Sequence, residues 1–444
     1  MENPTPPSAP LFQQSPPASL PPRRGKSPLT IALIIAGIVI VVVAGLAALA
    51  VPAYKRVREQ AFKLAEETRK KKLEQLARPL TEEEKPKARA FAVKLISALQ
   101  NADSAQVQAM TDLAELADEV FHGLSSAAEM KKGFIDGVEE APGGILSNLL
   151  GQRGHFVRHH VREGIPVVTL RFLDENAAAS YVDLFLKRDG KGGFMAMDLY
   201  TYLFGTRSSS EVRRAVAMMH TTDNASLAEI LGIPTAESRE TMVQLTGYAS
   251  SQSQGDFRAV VEKYGRLKPE LQKLPFTYSI YIQALQRLSD QQPEMNEAYA
   301  NALEKARGIL GEDVTIDLLM VDMHFIRGDM QAARKDVENA LKTIGDDSYL
   351  HHLVGLMCAR TDDLAGAEAA LAKAEKIQPD LIDLVDLRMM ILAMKKDYAG
   401  IVKSMEDFKA KTGAKLTPDL LSEKVYDGFK KSPEFTKWAA EAAK

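Results

Sequence analysis

The sequence predicts three successive parts: a single transmembrane helix, an α+β domain in which helices precede a curled antiparallel sheet, and an all-α solenoid of helical hairpins. Three observations support this fold class. An uncharged apolar run spans 29–51, and short β-rich runs follow one another between 156 and 203. Beyond residue 240, helical patterns repeat with a period of 34 residues.

The composition is that of an ordinary globular protein and argues against nucleic-acid binding. Of the 444 residues, 45% are hydrophobic and 26% are charged, and the formal net charge is -3. A protein that binds phosphates needs clustered excess Lys and Arg, whereas the one dense basic run, 69–72, is typical of a solvated helix face. The single cysteine, Cys358, excludes an intramolecular disulfide and a paired-cysteine zinc site.

The N-terminal region is predicted to anchor the chain in a membrane. Residues 1–28 contain nine prolines and little apolar content, so we expect a disordered Pro-rich tail. Residues 29–51 exceed the ~20 apolar residues that cross a bilayer as a helix, and they are longer than the ~7–15 of a signal peptide. This run predicts a single-pass membrane protein. Because the short basic tail resists translocation, the soluble region is predicted to lie on the non-cytoplasmic (periplasmic) side.

A charged helical stalk is predicted over 52–80, because apolar residues recur among abundant Lys, Arg and Glu. The stretch 50–61, with Pro52-Ala53-Tyr54 after an apolar run, resembles the end of the membrane helix of type IV pilins and their pseudopilin relatives. The membrane segment lacks the acidic residue of that family. This resemblance implies one alternative function, a subunit of a pilus-like or secretion assembly. Thr81, before three glutamates, is predicted to cap the next helix.

An α+β domain is predicted over 86–207. Apolar residues recur at helical spacing up to Leu150, and β-rich runs then occupy 156–161, 165–173, 181–186 and 194–203. This order, with the run from Tyr181 to Tyr200 as a closing hairpin, resembles the nuclear transport factor two-like, or cystatin-like, cone fold. Members of that fold hold a ligand, an active site or nothing in the cone, so a cone-domain enzyme or a small-ligand-binding protein is another alternative.

The sequence predicts no enzymatic activity, no catalytic residue and no cofactor. It contains no phosphate loop, no Gly-x-Ser-x-Gly elbow and no His-Glu-x-x-His motif. The local cluster His155, His159 and His160 is the one candidate for a metal site. On a regular strand His155 and His159 would share a face and His160 would point away, and no adjacent carboxylate offers a third ligand, so no metal is predicted.

Helical hairpins are predicted over 240–415, followed by a capping helix over 416–444. The turns Gly328-Asp329-Met330, Asp362-Asp363-Leu364 and Lys396-Asp397-Tyr398 recur with the 34-residue period. The region of about 280–415 resembles the tetratricopeptide repeat family, and its closest unit places Gly355, Ala367, Ala374 and Pro379 at that family's positions. Small residues let antiparallel helices approach closely, so we expect Ala367 and Ala374 to be buried.

The tetratricopeptide resemblance implies a concave groove that binds a partner peptide or protein. The residues of the first helices that this register directs into the groove are Leu318, Asp322, Phe325, Tyr349, His352, Leu356, Asp386 and Met390. Among them, Asp322 and His352 are expected to face solvent. The sequence therefore predicts a membrane-anchored protein–protein interaction scaffold that binds a protein or peptide partner and no nucleic acid.

Overall fold

A computed structural model describes most of the chain after residue 75. The described residues are 76–122, 127–174, 179–202, 205–220, 254–311, 314–413, 421 and 423–442, with a few positions between 67 and 74 and between 244 and 252. The described positions between 67 and 76 are helical.

The first part of the described chain contains helices followed by a sheet. The helices are α1 (Glu84–Gln100), α2 (Ser104–Ala109), α3 (Leu113–Phe121), α4 (Ala127–Glu140) and a 3-10 helix (Gly144–Leu149). The strands are β1 (Arg153–Arg162), β2 (Ile165–Leu173), β3 (Ala179–Arg188), β4 (Phe194–Thr201) and β5 (Thr206–Arg207). They form one antiparallel sheet in the order β1-β2-β3-β4-β5, and α5 (Ser208–His220) follows directly.

Helix α1 begins at a reciprocal pair of hydrogen bonds. The Thr81 hydroxyl accepts from the Glu84 backbone N–H at 3.3 Å, and the Glu84 carboxylate accepts from the Thr81 N–H at 2.9 Å. This capping box satisfies two backbone donors that a helix start leaves without partners. The predicted cap at Thr81 is therefore confirmed.

The sheet is covered on both faces, as the uninterrupted burial of all nine residues of β2 indicates. Val168, Leu170 and Phe172 belong to the apolar cluster that contains Leu95 and Leu99 of α1. Alternate residues of a strand point to opposite faces, so Val167 and Arg171 lie on the other side. That side contacts the helical array.

The second part of the described chain is an array of helices joined in pairs by short turns. The helices are α6 (Phe257–Arg266), α7 (Pro269–Gln272), α8 (Pro275–Gln291), α9 (Asn296–Leu310), α10 (Val314–Ile326), α11 (Met330–Ile344), α12 (Ser348–Arg360), α13 (Leu364–Ile377), α14 (Leu384–Met394) and α15 (Tyr398–Thr412). Then come a 3-10 helix (Lys424–Tyr426), α16 (Asp427–Lys430) and α17 (Pro433–Ala442), whose Phe429 and Trp438 are buried against the last hairpin.

The 34-residue period appears in the structure as a repeated cap. Asp329, Asp363 and Asp397 each precede the second helix of a hairpin and accept the backbone N–H three residues ahead, at 3.0, 2.8 and 2.9 Å. The residue before each cap has a positive φ, of 75°, 59° and 58°. Only the first of these residues, Gly328, is a glycine. Asp362 and Lys396 adopt the same left-handed conformation although it is costly for a residue with a side chain, so the turn geometry is the same in all three hairpins.

Small residues sit where neighbouring helices approach most closely. Ala367 and Ala374 are both 0% exposed, which confirms the expectation from the sequence. A side chain on Gly355 of α12 would collide with the Leu387 side chain of α14, so the glycine lets these helices of successive hairpins approach without displacing Leu387.

The membrane part of the predicted architecture is corrected. None of the helices that the structure describes is long and apolar enough to cross a bilayer. The longest of these, α1 and α8, have 17 residues each and include charged side chains, whereas a span needs ~20 largely apolar residues. The predicted tail 1–28, the predicted span 29–51 and most of the predicted stalk 52–80 lie outside the described residues. For the part of the chain described, the prediction of a single-pass membrane protein with a periplasmic soluble region is wrong.

Candidate functional site

The eight residues predicted to line a groove lie on the first helices of three successive hairpins, α10, α12 and α14; we call the face they form the inner face. Four of them are buried: His352, Leu356, Asp386 and Met390. Three are half-buried, Leu318, Phe325 and Tyr349, and Asp322 is exposed. The inner face therefore has a covered half, on α12 and α14, and an open half, on α10.

The chain's own sheet covers the α12–α14 half. Tyr181 and Phe185 of β3 belong to the same buried apolar cluster as Leu356 and Met390. Leu173, at the end of β2, packs in a second cluster with Leu384 of α14. One sheet face and the α12–α14 half therefore share buried apolar clusters.

A buried ion pair fixes the sheet to the array. Arg171 of β2 and Asp347 are 1% and 0% exposed, and Arg171 Nη1 lies 2.6 Å from Asp347 Oδ2. The Tyr181 hydroxyl donates to Asp347 Oδ1 at 2.6 Å, and Oδ1 also accepts the backbone N–H groups of Tyr349 and Leu350. Asp347 is thus the N-cap of α12 and the partner of a sheet arginine. Buried charges tolerate burial only when they are paired and hydrogen-bonded in this way.

His352 lies next to this ion pair, so the expectation that it faces solvent is wrong. It is 5% exposed, its ring stacks on Tyr349 with 5.9 Å between centroids, and its Nδ1 has no hydrogen-bond partner among the described residues. Burial lowers the pKa of His352 to about 3, and the charge of Arg171 acts in the same direction. The imidazole is neutral at physiological pH, which suits a packed residue.

Asp386, on the covered half, is a buried carboxyl group with few partners. It is 4% exposed, and the Tyr426 hydroxyl donates to Oδ1 over a long 3.5 Å. Burial raises the pKa of Asp386 to about 7, although the nearby charge of Arg360 lowers it. The sequence pattern places this residue in a groove, but its environment is that of an interior.

We expect Asp386→Asn to flatten the dependence of stability on pH. In the window between the unfolded pKa of 3.8 and the folded pKa of about 7, the folded state holds the extra proton, so stability is present at low pH and is lost as pH rises. Between pH 5 and pH 8 this group accounts for a fall of about 3 kcal/mol in the free energy of unfolding. Urea denaturation at the two pH values measures the fall, and the Asp386→Asn substitution should remove it because an amide does not ionise.

Asp407→Asn, at an exposed position of α15, is the matched control. Its free energy of unfolding should fall with rising pH as that of the parent protein does. An Asp386→Asn protein that loses as much stability as the parent between pH 5 and pH 8 would show that the carboxyl is ionised throughout.

The open half of the inner face combines one carboxylate with apolar side chains. Asp322 accepts a hydrogen bond from the Tyr299 hydroxyl at 3.1 Å. Phe325 lies beneath the Arg360 guanidinium, 4.5 Å from its ring centre, and Leu318 borders the apolar cluster shared with the sheet. A carboxylate with several lone pairs and one described donor can accept further hydrogen bonds.

The histidines of β1 are arranged differently from the prediction. The pairing of β1 with β2 shifts between Phe156 and Arg158, which marks a β-bulge. His155 is opposite Arg171 and His160 is opposite Val167, so these two share a face, while His159 is opposite Val168. The extra residue changes the alternation that a regular strand would show. No group of three or more potential ligands suited to a metal occurs among the described residues.

Asp183 of β3 is a second buried charge on the sheet face that meets the array. Its side chain is 0% exposed and receives Arg162 Nε at 2.6 Å, Thr169 Oγ1 at 2.7 Å and the Tyr202 hydroxyl at 3.0 Å. Burial by itself would raise the pKa of Asp183, but His160, Thr169 and Arg162 outweigh it and the pKa is lowered. The carboxylate is held by partners from several strands, so we assign it a structural role.

A polar cleft of about 270 Å³ lies at the start of α5. Its lining residues are Glu119, Glu163, Tyr200, Gly205, Thr206, Arg207, Ser209, Ser210 and Arg213. Arg207 pairs with Glu163 at 2.6 Å, and the buried Asp198 accepts from the Ser209 N–H and hydroxyl at 3.1 and 2.6 Å. Asp198 therefore already caps α5, and Arg207 is already paired with Glu163.

The comparisons with protein families and with curated proteins do not assign this chain to a family. A scan against protein-family models gives no match, and a search of curated proteins gives no significant match. The tetratricopeptide and cone-fold resemblances remain predictions from sequence pattern.

Proposed function

We propose that the chain is a protein-interaction scaffold, and that a segment of a partner protein binds to the open half of the inner face. The supporting observation is the exposed Asp322 carboxylate between the half-buried Leu318 and Phe325. Binding sites in proteins typically combine apolar contact area with a few polar groups that fix orientation. The open half has both.

The chemistry of the open half defines the partner segment. The exposed Asp322 carboxylate can accept hydrogen bonds from a cationic side chain or an N–H donor of the partner. Leu318 and Phe325 each lie about one helical turn from Asp322, and they would contact an apolar side chain of the partner. A short helix or extended peptide with a Lys or Arg beside an apolar anchor fits these requirements.

The covered half supports the same proposal, because there the array packs against a cation and apolar side chains of its own chain. The sheet offers it Arg171, which pairs with the carboxylate of Asp347, and the apolar side chains of Tyr181 and Phe185. A partner at the open half would repeat this combination of one cation and apolar groups, with Asp322 in the place of Asp347.

Proximity labelling with the full chain tests the proposal, with Asp322→Lys as the key variant. Reversing a charge that a partner cation contacts costs several kcal/mol, and each 1.4 kcal/mol is a factor of ten in affinity. We expect the wild-type chain to label a specific protein and Asp322→Lys to label it at least tenfold less.

The matched control is Glu406→Lys, which makes the same charge change at an exposed position of α15. It should label the partner as the wild type does. Equal labelling by Asp322→Lys and Glu406→Lys would place the partner elsewhere, and no specific labelling by the wild type would contradict the scaffold function.

A further inference from the structure

The sheet has one long open edge. β1 has ten residues and pairs with β2 on one side only, and among the described residues no backbone hydrogen bond joins β1 to any other segment. None of its ten residues is buried, whereas all nine of β2 are. The opposite edge is the two-residue β5, which passes directly into α5. A long strand with unpaired N–H and C=O groups is a template for another strand.

Apolar side chains are exposed beside this edge. The large hydrophobic residues that are exposed in the described chain are Val93, at 51%, and Val161, at 45%. Val161 belongs to β1. Val93 belongs to α1, on the stripe that includes Arg89, which lies over the Phe156 ring, and Ile96, which lies close to Gly154. Both valines therefore flank the open edge, on the side of the sheet that α1 covers.

The edge is also cationic. β1 contains three arginines, three histidines and no acidic residue. Arg162 is neutralised by Asp183, and Arg158 donates to the carbonyl of Thr343, but Arg153 is exposed. On α1, Arg89 is exposed, and Lys85 pairs with Glu82. Arg153 and Arg89 are therefore exposed cations at this edge, with Asp383 near Arg153.

We infer that the β1 edge binds an extended, acidic segment of another protein as a sixth strand of the sheet. Main-chain hydrogen bonds to β1 would supply affinity, as in other cases of β-strand addition, and the regular ladder from Arg158 to Arg162 beyond the bulge is where pairing is least disturbed. Side chains on one face of the segment, towards its two ends, would contact Val93 and Val161. A second copy of β1 fits poorly, because it would set arginine and histidine against arginine and histidine.

Selection from a library of random ten-residue displayed peptides on the full chain tests this inference. The expected result is enrichment of sequences that alternate acidic with β-branched residues. A synthetic copy of an enriched peptide should protect from hydrogen exchange the β1 amides that point away from β2. Its affinity should drop at least tenfold for Arg153→Glu and for the double variant Val93→Lys/Val161→Lys. All three positions are exposed, so the variants should fold.

The exposed Ala372→Lys on α13 is the control and should bind the peptide normally. Three results would overturn the inference: enriched peptides that bind the edge variants as well as the wild type, absence of acidic enrichment, or protection, in the chain without peptide, of the β1 amides that point away from β2. In the last case, light scattering tells whether a second copy of the chain covers β1, which gives a dimer, or another segment of the same chain does, which gives a monomer. Asp322→Lys should leave the peptide affinity unchanged, so failure here is distinct from failure of the proposed function.

Discussion

Asp347→Ala is expected to lower the free energy of unfolding by about 3–5 kcal/mol, since it leaves the buried Arg171 guanidinium without its counter-ion. Loss of the N-cap of α12 adds to the effect, because the N–H groups of Tyr349 and Leu350 lose their acceptor. Two parts of the fold are weakened by one substitution. Denaturant unfolding of the full chain, followed by circular dichroism, measures the loss.

The neighbouring Asp346→Ala is the matched control. Asp346 has 87% of its side chain exposed and contacts His351 at 3.3 Å, so its removal should cost about 0.5 kcal/mol or less. Equal unfolding curves for the two variants would contradict the burial of the Arg171–Asp347 pair.

Ala374→Glu is the second substitution with a large expected effect. Ala374 is 0% exposed in a cluster with Leu173 of the sheet and with Leu381 and Leu384. A glutamate there adds volume to a packed contact, at about 1–3 kcal/mol, and buries a charge for which the cluster offers no partner among the described residues. We expect a total loss of about 4 kcal/mol or more, or an aggregated protein.

Ala372→Glu makes the same change two residues earlier, at an exposed position of α13. It should leave the melting temperature within about 2 °C of the parent value. Equal melting temperatures for Ala374→Glu and Ala372→Glu would show that the 34-residue register of the helices is wrong.

Local features of the fold were predictable from the sequence because their causes are local. The caps at Asp329, Asp363 and Asp397 depend on a side chain and an N–H three residues ahead, and the sequence shows both. Ala374 was predictable for a similar reason, since the helical period places it on a contact face whatever the neighbour is. The cap of α1 at Thr81 follows the same rule.

The contact between sheet and array was not predictable in this way. Periodicity shows that Leu356 and Met390 face something, but it does not distinguish solvent, a partner or another part of the chain. His352 lies beside Arg171 of β2, far earlier in the sequence, and Asp386 accepts from Tyr426, 40 residues later, so the burial of each depends on a distant segment. A bulge at Val157 likewise has no sequence mark, and it reversed the expected faces of His159 and His160.

This contact also explains why the inner face has two different halves. The sheet supplies a cation and apolar side chains to α12 and α14, so that half serves stability. The α10 half keeps an accessible carboxylate beside apolar residues, and there the same chemistry remains available to a partner. Stability and the proposed binding therefore belong to adjacent parts of one surface.

A double-mutant cycle between Arg171 and Asp347 tests most directly the claim that the sheet occupies the covered half of the inner face. Arg171→Met keeps the length of the side chain, and Asp347→Asn keeps a residue that can cap α12. With the two side chains 2.6 Å apart and buried, we predict a coupling free energy of about 2–3 kcal/mol in the unfolding of the full chain. Additive effects of the two substitutions, with a coupling near zero, would show that β2 does not contact the start of α12 and would contradict this claim.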